Sequence, residues 1–146
     1  MRRMGGVQEA LTSRRTVYRY KREKVPDQTL ESAFKAASNA PCHKNTHPWK
    51  FYVMGEKTRE SLIPEVEKLA KKKSTDGEEL EAGISKATEK IISPPLLICV
   101  TSAKSPQDPF REEEDYAATA CAIQNMTLSL WGNGVGSQWS TGAITR

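Results

Sequence analysis

Three short stretches hold most of the side chains able to do chemistry. The first is Arg14, Arg15 and Thr16. A guanidinium grips phosphate through two parallel N–H donors, and a hydroxyl adds a third. The triplet reads either as a phosphate grip or as an exposed basic turn. The second runs from Ala40 to Trp49 and holds both histidines of the chain, His43 and His47, with Cys42, Lys44 and Asn45 among them and Pro41 and Pro48 on either side. Prolines lower the entropy lost when a loop is held rigid, so this is a candidate ligand wall. Cys42, His43 and His47 are metal-ligand types. No second ligand pair lies elsewhere in the sequence, and no metal site is expected. The third stretch is Gly134 to Gly142, with Gly136, Ser137, Gln138, Trp139, Ser140 and Thr141 inside it. A dinucleotide fingerprint follows a strand and opens a helix, whereas these glycines follow a helix. They suit either the close approach of a flat ring to the backbone or a plain helix stop. There is no Gly-x-Ser-x-Gly elbow, and no carboxylate is at hand to orient Cys42 and His43 as a nucleophilic pair.

The elements that must position these stretches follow from hydrophobic spacing. Val7, Ala10 and Leu11 predict a short opening helix that runs into Ser13. A second helix begins at Val25, Pro26 and Asp27, where proline and an acid suit the first turn. It buries Leu30, Ala33, Phe34 and Ala37 and ends before Pro41. Trp49 to Met54 alternates as a strand. Leu62, Ile63, Val66, Leu69 and Ala70 form one face of an amphipathic helix, which ends in a charged loop from Lys71 to Gly77. Ile84, Ala87 and Ile91 suggest a further short helix, stopped at Ser93, Pro94 and Pro95. Leu96 to Thr101 is continuously apolar and predicts a strand covered on both faces. The longest helix is expected from about Glu112 to Trp131, burying Tyr116, Ala120, Ile123, Thr127 and Leu130. Glu112, Glu113, Glu114 and Asp115 suit its positive end. Val135 to Trp139 reads as a third short strand. Helices and strands mix without a βαβ repeat, which gives the α+β class or a three-layer α-β-α sandwich.

Bulk properties exclude several classes. With 146 residues and 37% hydrophobic content the chain can form one domain with a real core. Its longest apolar run, Leu96 to Val100, is far short of the roughly 20 residues a bilayer span needs. No apolar stretch follows the basic N-terminus as a secretory signal would require. Three cysteines, Cys42, Cys99 and Cys121, are an odd count without paired spacing, so the expectation is free thiols in a reducing compartment, most simply the cytoplasm. Two of them sit in apolar contexts and read as core residues. The net charge of +4 is concentrated between Met1 and Lys24, where eight Lys and Arg, Lys24 included, face only Glu9 and Glu23. Such a segment suits an anionic ligand; no nucleic-acid-binding motif accompanies it.

The order and spacing of the three stretches resemble the nitroreductase family. That family opens with a helix and Arg-Arg-Ser-x-Arg-x-Phe, matched here by Arg14 to Tyr20. A helix then ends in Ala-Pro-Ser/Asp-x-x-Asn-x-Gln-Pro-Trp, matched by Ala40 to Trp49. An apolar strand after prolines matches Pro94 to Val100. A long helix with Gln-Asn, then Gly-x-Gly-x-x-Trp-x-Thr/Ser-Gly, matches Gln124 to Gly142. The resemblance covers nearly the whole chain and is closest to the compact branch of the family.

The resemblance implies a three-layer α-β-α sandwich with a mixed, mainly antiparallel sheet, and a homodimer with FMN at the interface. Arg14, Arg15 and Thr16 would hold the phosphate and ribityl end. His43, Asn45 and His47 would meet the flavin of the partner subunit, and Trp139, Ser140 and Thr141 would border the cofactor. The turn formed by Ser129, Leu130, Trp131, Gly132, Asn133 and Gly134 would admit NAD(P)H. Hydride would pass from NAD(P)H through the flavin to nitro compounds, quinones or similar acceptors, with the chemistry carried by the cofactor. Family members continue beyond the Thr141-Gly142 match with a helix and a final strand, so residues 1–146 are expected to be a single but C-terminally incomplete domain. Tyr18 stands where the family often has a basic residue, Cys42 where it has Ser or Asp, and His47 where it has Gln. These departures support an alternative, a flavin-binding protein without turnover.

Overall fold

Apolar residues at helical spacing nucleate five helices, and a computed structural model of the chain places them over residues 6–72 and 77–141. Residues 1–5, 73–76 and 142–146 lie outside this description, and with them part of the expected charged loop and the Gly142 end of the third stretch. Helix α1 spans Val7–Ser13 and α2 spans Asp27–Ser38. A single 3-10 turn occupies His43–Asn45 and leads into strand β1, Trp49–Val53. Helices α3, Glu56–Lys71, and α4, Gly77–Ile92, precede strand β2, Ile98–Ser102. Helix α5, Pro109–Gly132, is the longest element. No described helix is long and apolar enough to cross a membrane.

The chain groups into two compact units. One comprises Met1–Tyr18, Val25–Tyr52 and Cys99–Gln138 and is organised on the packing of α2 against α5. Its core is small: Ala33 and Ala37 of α2 and Ala122 of α5 have no exposed surface, and Met126 and Leu130 extend the same face. Small side chains let two helices approach closely, and the Asn125 amide donates to the Ala36 carbonyl at 3.2 Å. That bond adds a tie from α5 to a carbonyl in the last turn of α2, which also accepts from the Asn39 N–H at 3.3 Å. The other unit comprises Arg19–Lys24, Val53–Ile98 and Trp139–Arg146 and is built on the α3–α4 pair. Here Arg59 donates from Nε to the Met54 carbonyl at 3.0 Å and from Nη1 to the Pro94 carbonyl at 2.6 Å.

The two strands form one sheet. Bonds from the Met54 N–H to the Leu97 carbonyl and from the Ala103 N–H to the Pro48 carbonyl lie at its two ends, which makes the pair antiparallel. The architecture is α+β, as the spacing predicts.

Several expectations need correction. Residues 135–139 form no strand; Ser137 makes only an isolated parallel bridge with Thr16. Strand β2 is not covered on both faces: Cys99 and Thr101 are exposed while Ile98, Val100 and Ser102 are half-buried, the alternation of a strand packed on one side. Cys99 and Cys121 are therefore surface residues rather than core. In α5 the buried stripe is Asp115, Ala118, Thr119, Ala122, Met126 and Leu130, so of the five expected core positions only Leu130 is buried, and Tyr116 is 62% exposed. The buried stripe is made largely of small residues, which hydrophobic spacing does not single out, and the helix begins three residues earlier than expected. Asp108 caps it by accepting from the Arg111 N–H at 3.1 Å, and Pro109 fills the first turn.

Candidate functional site

Two of the three chemical stretches are held at the two ends of α5. At its C-terminal end, α1 stops at Ser13, and the Trp131 indole N–H donates to the Ser13 hydroxyl at 2.9 Å. Arg14 follows as the C-cap of α1, half-buried, with no partner for its guanidinium among the described residues. Arg15 is turned back on its own helix: Nη1 donates to the Thr12 and Arg14 carbonyls, each at 3.0 Å. Thr16 is exposed, and next to it the Val17 N–H donates to the Ser137 carbonyl at 3.1 Å. Thr16 and Arg15 are exposed and Arg14 is half-buried; Arg15 Nη1 covers one carbonyl of the helix end and one of its cap.

Gly136 lies against this segment. A methyl group at its Cα would come within 2.5 Å of Val17 Cγ2 and 3.0 Å of Val17 Cβ. The space its missing side chain leaves is filled by Val17, so at this glycine the close approach is to the chain itself rather than to a flat ring. Gly134 has a different reason to be glycine, with φ at 77° after the helix end.

At the N-terminal end of α5 stands the histidine loop. His43, Asn45 and His47 are exposed, Cys42 and Thr46 half-buried. Lys44, Asn45 and His47 all adopt left-handed backbone, with φ of 52°, 52° and 43°. For residues other than glycine this conformation is disfavoured by the Cβ, although Asn and His tolerate it better than most. The Thr46 hydroxyl donates to Asp115 Oδ1 at 2.8 Å. His43 Nδ1 lies 3.9 Å from Glu114 Oε1. The His47 ring stands edge-on to Trp49, centroids 5.5 Å apart, with its Nδ1 3.9 Å from Cys42 Sγ. A shallow cleft of about 160 Å³ opens here, lined by His43, Lys44, Thr46, Phe110, Arg111 and Asp115 among others. Beside it Glu112 accepts from Lys104 at 2.6 Å and from the Ser105 N–H at 3.0 Å, and these bonds hold its carboxyl below the ordinary glutamate value.

The remaining candidates divide. Trp139, Ser140 and Thr141 belong to the other unit, where all three are exposed. Within residues 129–134, Leu130 is core and Trp131 is committed to Ser13. Ser129 and Gly132 are half-buried, and only Asn133 and Gly134 are exposed. Asp115 was read from sequence as an acid suited to the helix dipole. It stands in the second turn of α5 and is 3% exposed, so its role is a buried contact. Its place at the head of the stripe Asp115, Ala118, Ala122, Met126 is the signal that could have revealed it.

Comparison with known proteins is consistent throughout. The profile described as the Nitroreductase family matches residues 11–146. The YfhC protein of Bacillus subtilis (strain 168), provisionally named an NAD(P)H nitroreductase, is 30% identical over 139 residues, covering 94% of this chain and 70% of its own length. The crystal structure of a nitroreductase-like family protein from Bacillus cereus superposes with a TM-score of 0.78 at 26% identity, covering 97% of this chain and 73% of that one. A nitroreductase from Bacteroides fragilis NCTC 9343 with bound FMN gives 0.72 at 26% identity, covering 92% and 69%.

Proposed function

This chain belongs to the nitroreductase family, and from that premise we propose that it is an FMN-dependent oxidoreductase working as a homodimer, with NAD(P)H as donor and nitro compounds, quinones or similar electron-poor molecules as acceptors. The observation that carries the two-chain site is the separation of its halves. Asp115, which holds the histidine turn, and Trp131, which holds the Arg14 end, are 16 residues apart on one helix. At 1.5 Å per residue this is about 24 Å along the axis. A second copy related by a two-fold axis brings its own turn to the Arg14 end of the first. Exposed Phe110 and Tyr116 on α5 supply apolar area that such a partner covers.

The donor set suits FMN. The Arg14 guanidinium, without a partner among the described residues, and the Thr16 hydroxyl are phosphate ligands by type. His43, Asn45 and His47 carry N–H and amide groups of the kind that meet a flavin's polar edge. Trp139, Ser140 and Thr141 are assigned the cofactor's border. Asn133 and Gly134 are the exposed part of the stretch assigned to the nicotinamide nucleotide. When bound, FMN supplies the hydride chemistry. The chain's own residues bind it, orient it and place positive charge near it.

The test is the visible spectrum of the full chain with FMN added, then NADH or NADPH under anaerobic conditions. Bleaching of the flavin bands supports the enzyme. Binding without bleaching favours a flavoprotein without turnover, and no binding removes the proposal. Sedimentation of the FMN-loaded protein decides the dimer.

A further inference from the structure

The turn that carries His43, Asn45 and His47 is built from conformations its residues disfavour. Three non-glycine residues within four positions are left-handed. The exception is Thr46, with φ −68° and ψ −25°, an ordinary right-handed geometry. Thr46 is also the residue of the turn that is bonded to α5, through its hydroxyl to Asp115 at 2.8 Å. Strained backbone persists only where its surroundings over-determine it, and this bond is the short tie between the turn and the helix, beside the looser approach of His43 Nδ1 to Glu114 Oε1 at 3.9 Å.

Asp115 itself is an unusual core residue. A buried carboxylate is costly unless hydrogen-bonded. Its second oxygen lies 3.5 Å from Arg111 Nε one turn earlier, a looser contact than the Thr46 bond. Its own carbonyl accepts from the Thr119 hydroxyl at 2.9 Å, and that hydroxyl also lies 3.1 Å from the Ser102 hydroxyl of β2. The backbone of Asp115 is thus tied through Thr119 to β2, and its carboxylate, flanked by Arg111, takes its short bond from the turn.

We infer that Asp115, acting through Thr46, is a positioning residue: it holds the turn in its left-handed form and so sets where His43, Asn45 and His47 meet the flavin. The inference rests on the proposed function for the flavin, and on the structure alone for the anchor. Neither residue touches the cofactor in this scheme; the effect passes through the backbone of the turn.

The experiment compares the full chain with Thr46→Val, which keeps the shape and removes the hydroxyl, and with Thr46→Ser, which restores the hydroxyl. Two readouts are taken: FMN dissociation constant by quenching of flavin fluorescence, and amide hydrogen exchange across residues 43–47 without FMN. Thr46→Val is expected to weaken FMN binding about tenfold, the scale of one bond to a charged group, and to speed exchange in the turn, with both returning in Thr46→Ser. Unchanged exchange overturns the anchor. Faster exchange with unchanged FMN affinity overturns the link to the cofactor. Should the parent chain bind no FMN, the proposed function falls, and the exchange data still decide the anchor. Should Thr46→Val not fold, Asp115→Asn gives the same readouts with a weaker acceptor, and a smaller loosening of the same residues is expected.

Discussion

Replacing Gly136 by alanine is a sharp test of how the end proposed to bind phosphate is held. The new methyl would sit 2.5 Å from Val17 Cγ2 and 3.0 Å from Val17 Cβ. Carbon atoms are comfortable at about 3.5–4.0 Å, so roughly 1 Å must be found. Val17 cannot supply it by rotating. Its χ1 is stiff because the side chain is β-branched, and rotation about Cα–Cβ leaves Cβ where it is. The backbone has to move, and the backbone there is the Thr16–Ser137 bridge. Forcing a methyl into such a contact costs typically 1–3 kcal/mol. If that strain is carried in the bound state by Thr16 and Arg14, FMN affinity falls by about 5- to 150-fold. The assay is a fluorescence titration of FMN with the parent chain, Gly136→Ala, Val17→Ala and the double variant. Val17→Ala removes the closer contact, so the double variant should recover most of the loss. Unchanged affinity in Gly136→Ala, or a double variant as weak as the single, would refute the reasoning.

Other consequences are simpler to read. Met126 is 5% exposed in the α2–α5 core, so Met126→Ala should cost about 2–5 kcal/mol, seen as a lowered denaturant midpoint with little change in its slope. Pro64 lies inside α3 and removes a helix N–H. Pro64→Ala should therefore raise the melting temperature, by about 2–4 °C for each kcal/mol recovered. Burial raises the Tyr20 phenol above its ordinary value near 10. The folded state then favours the neutral phenol, a contribution present below pH ~10 and lost as pH rises through the folded value. Tyr20→Phe should flatten that alkaline limb in urea midpoints measured across it, and an unaltered limb would count against the burial.

Periodicity made most of the helices legible, because a helix that packs on one side writes its face into the sequence. It placed α1, α2 and α3 to within a few residues, and missed half of α4, whose described residues include none that are fully buried. In α5 the helix was evident but its face was not. Alanines and threonines occur all round it, and Ile123 or Tyr116 looks more like core than Ala122 does. Close helix packing selects for the absence of side chain, which hydrophobic spacing cannot register. The site followed the same division. The residue types proposed to face a ligand, Arg14, Thr16, His43, Asn45 and His47, are ones chemistry alone singles out. The residues that hold them are not, because each acts through a contact distant in sequence: Asp115 on Thr46, Trp131 on Ser13, Val17 on Gly136.

Arg14 and Arg15 show why that division matters for function. As neighbours of one residue type, the two carry equal weight in any motif. In the folded chain Arg15 donates from Nη1 to the Thr12 carbonyl of the preceding helix and to the Arg14 carbonyl, at 3.0 Å each, and the Arg14 guanidinium is unpartnered among the described residues. The last carbonyls of a helix carry the negative end of its dipole and attract a cation. A phosphate brought to this end needs that charge covered first. In the proposed site Arg15 covers part of it through Nη1, and Arg14 would meet the anion.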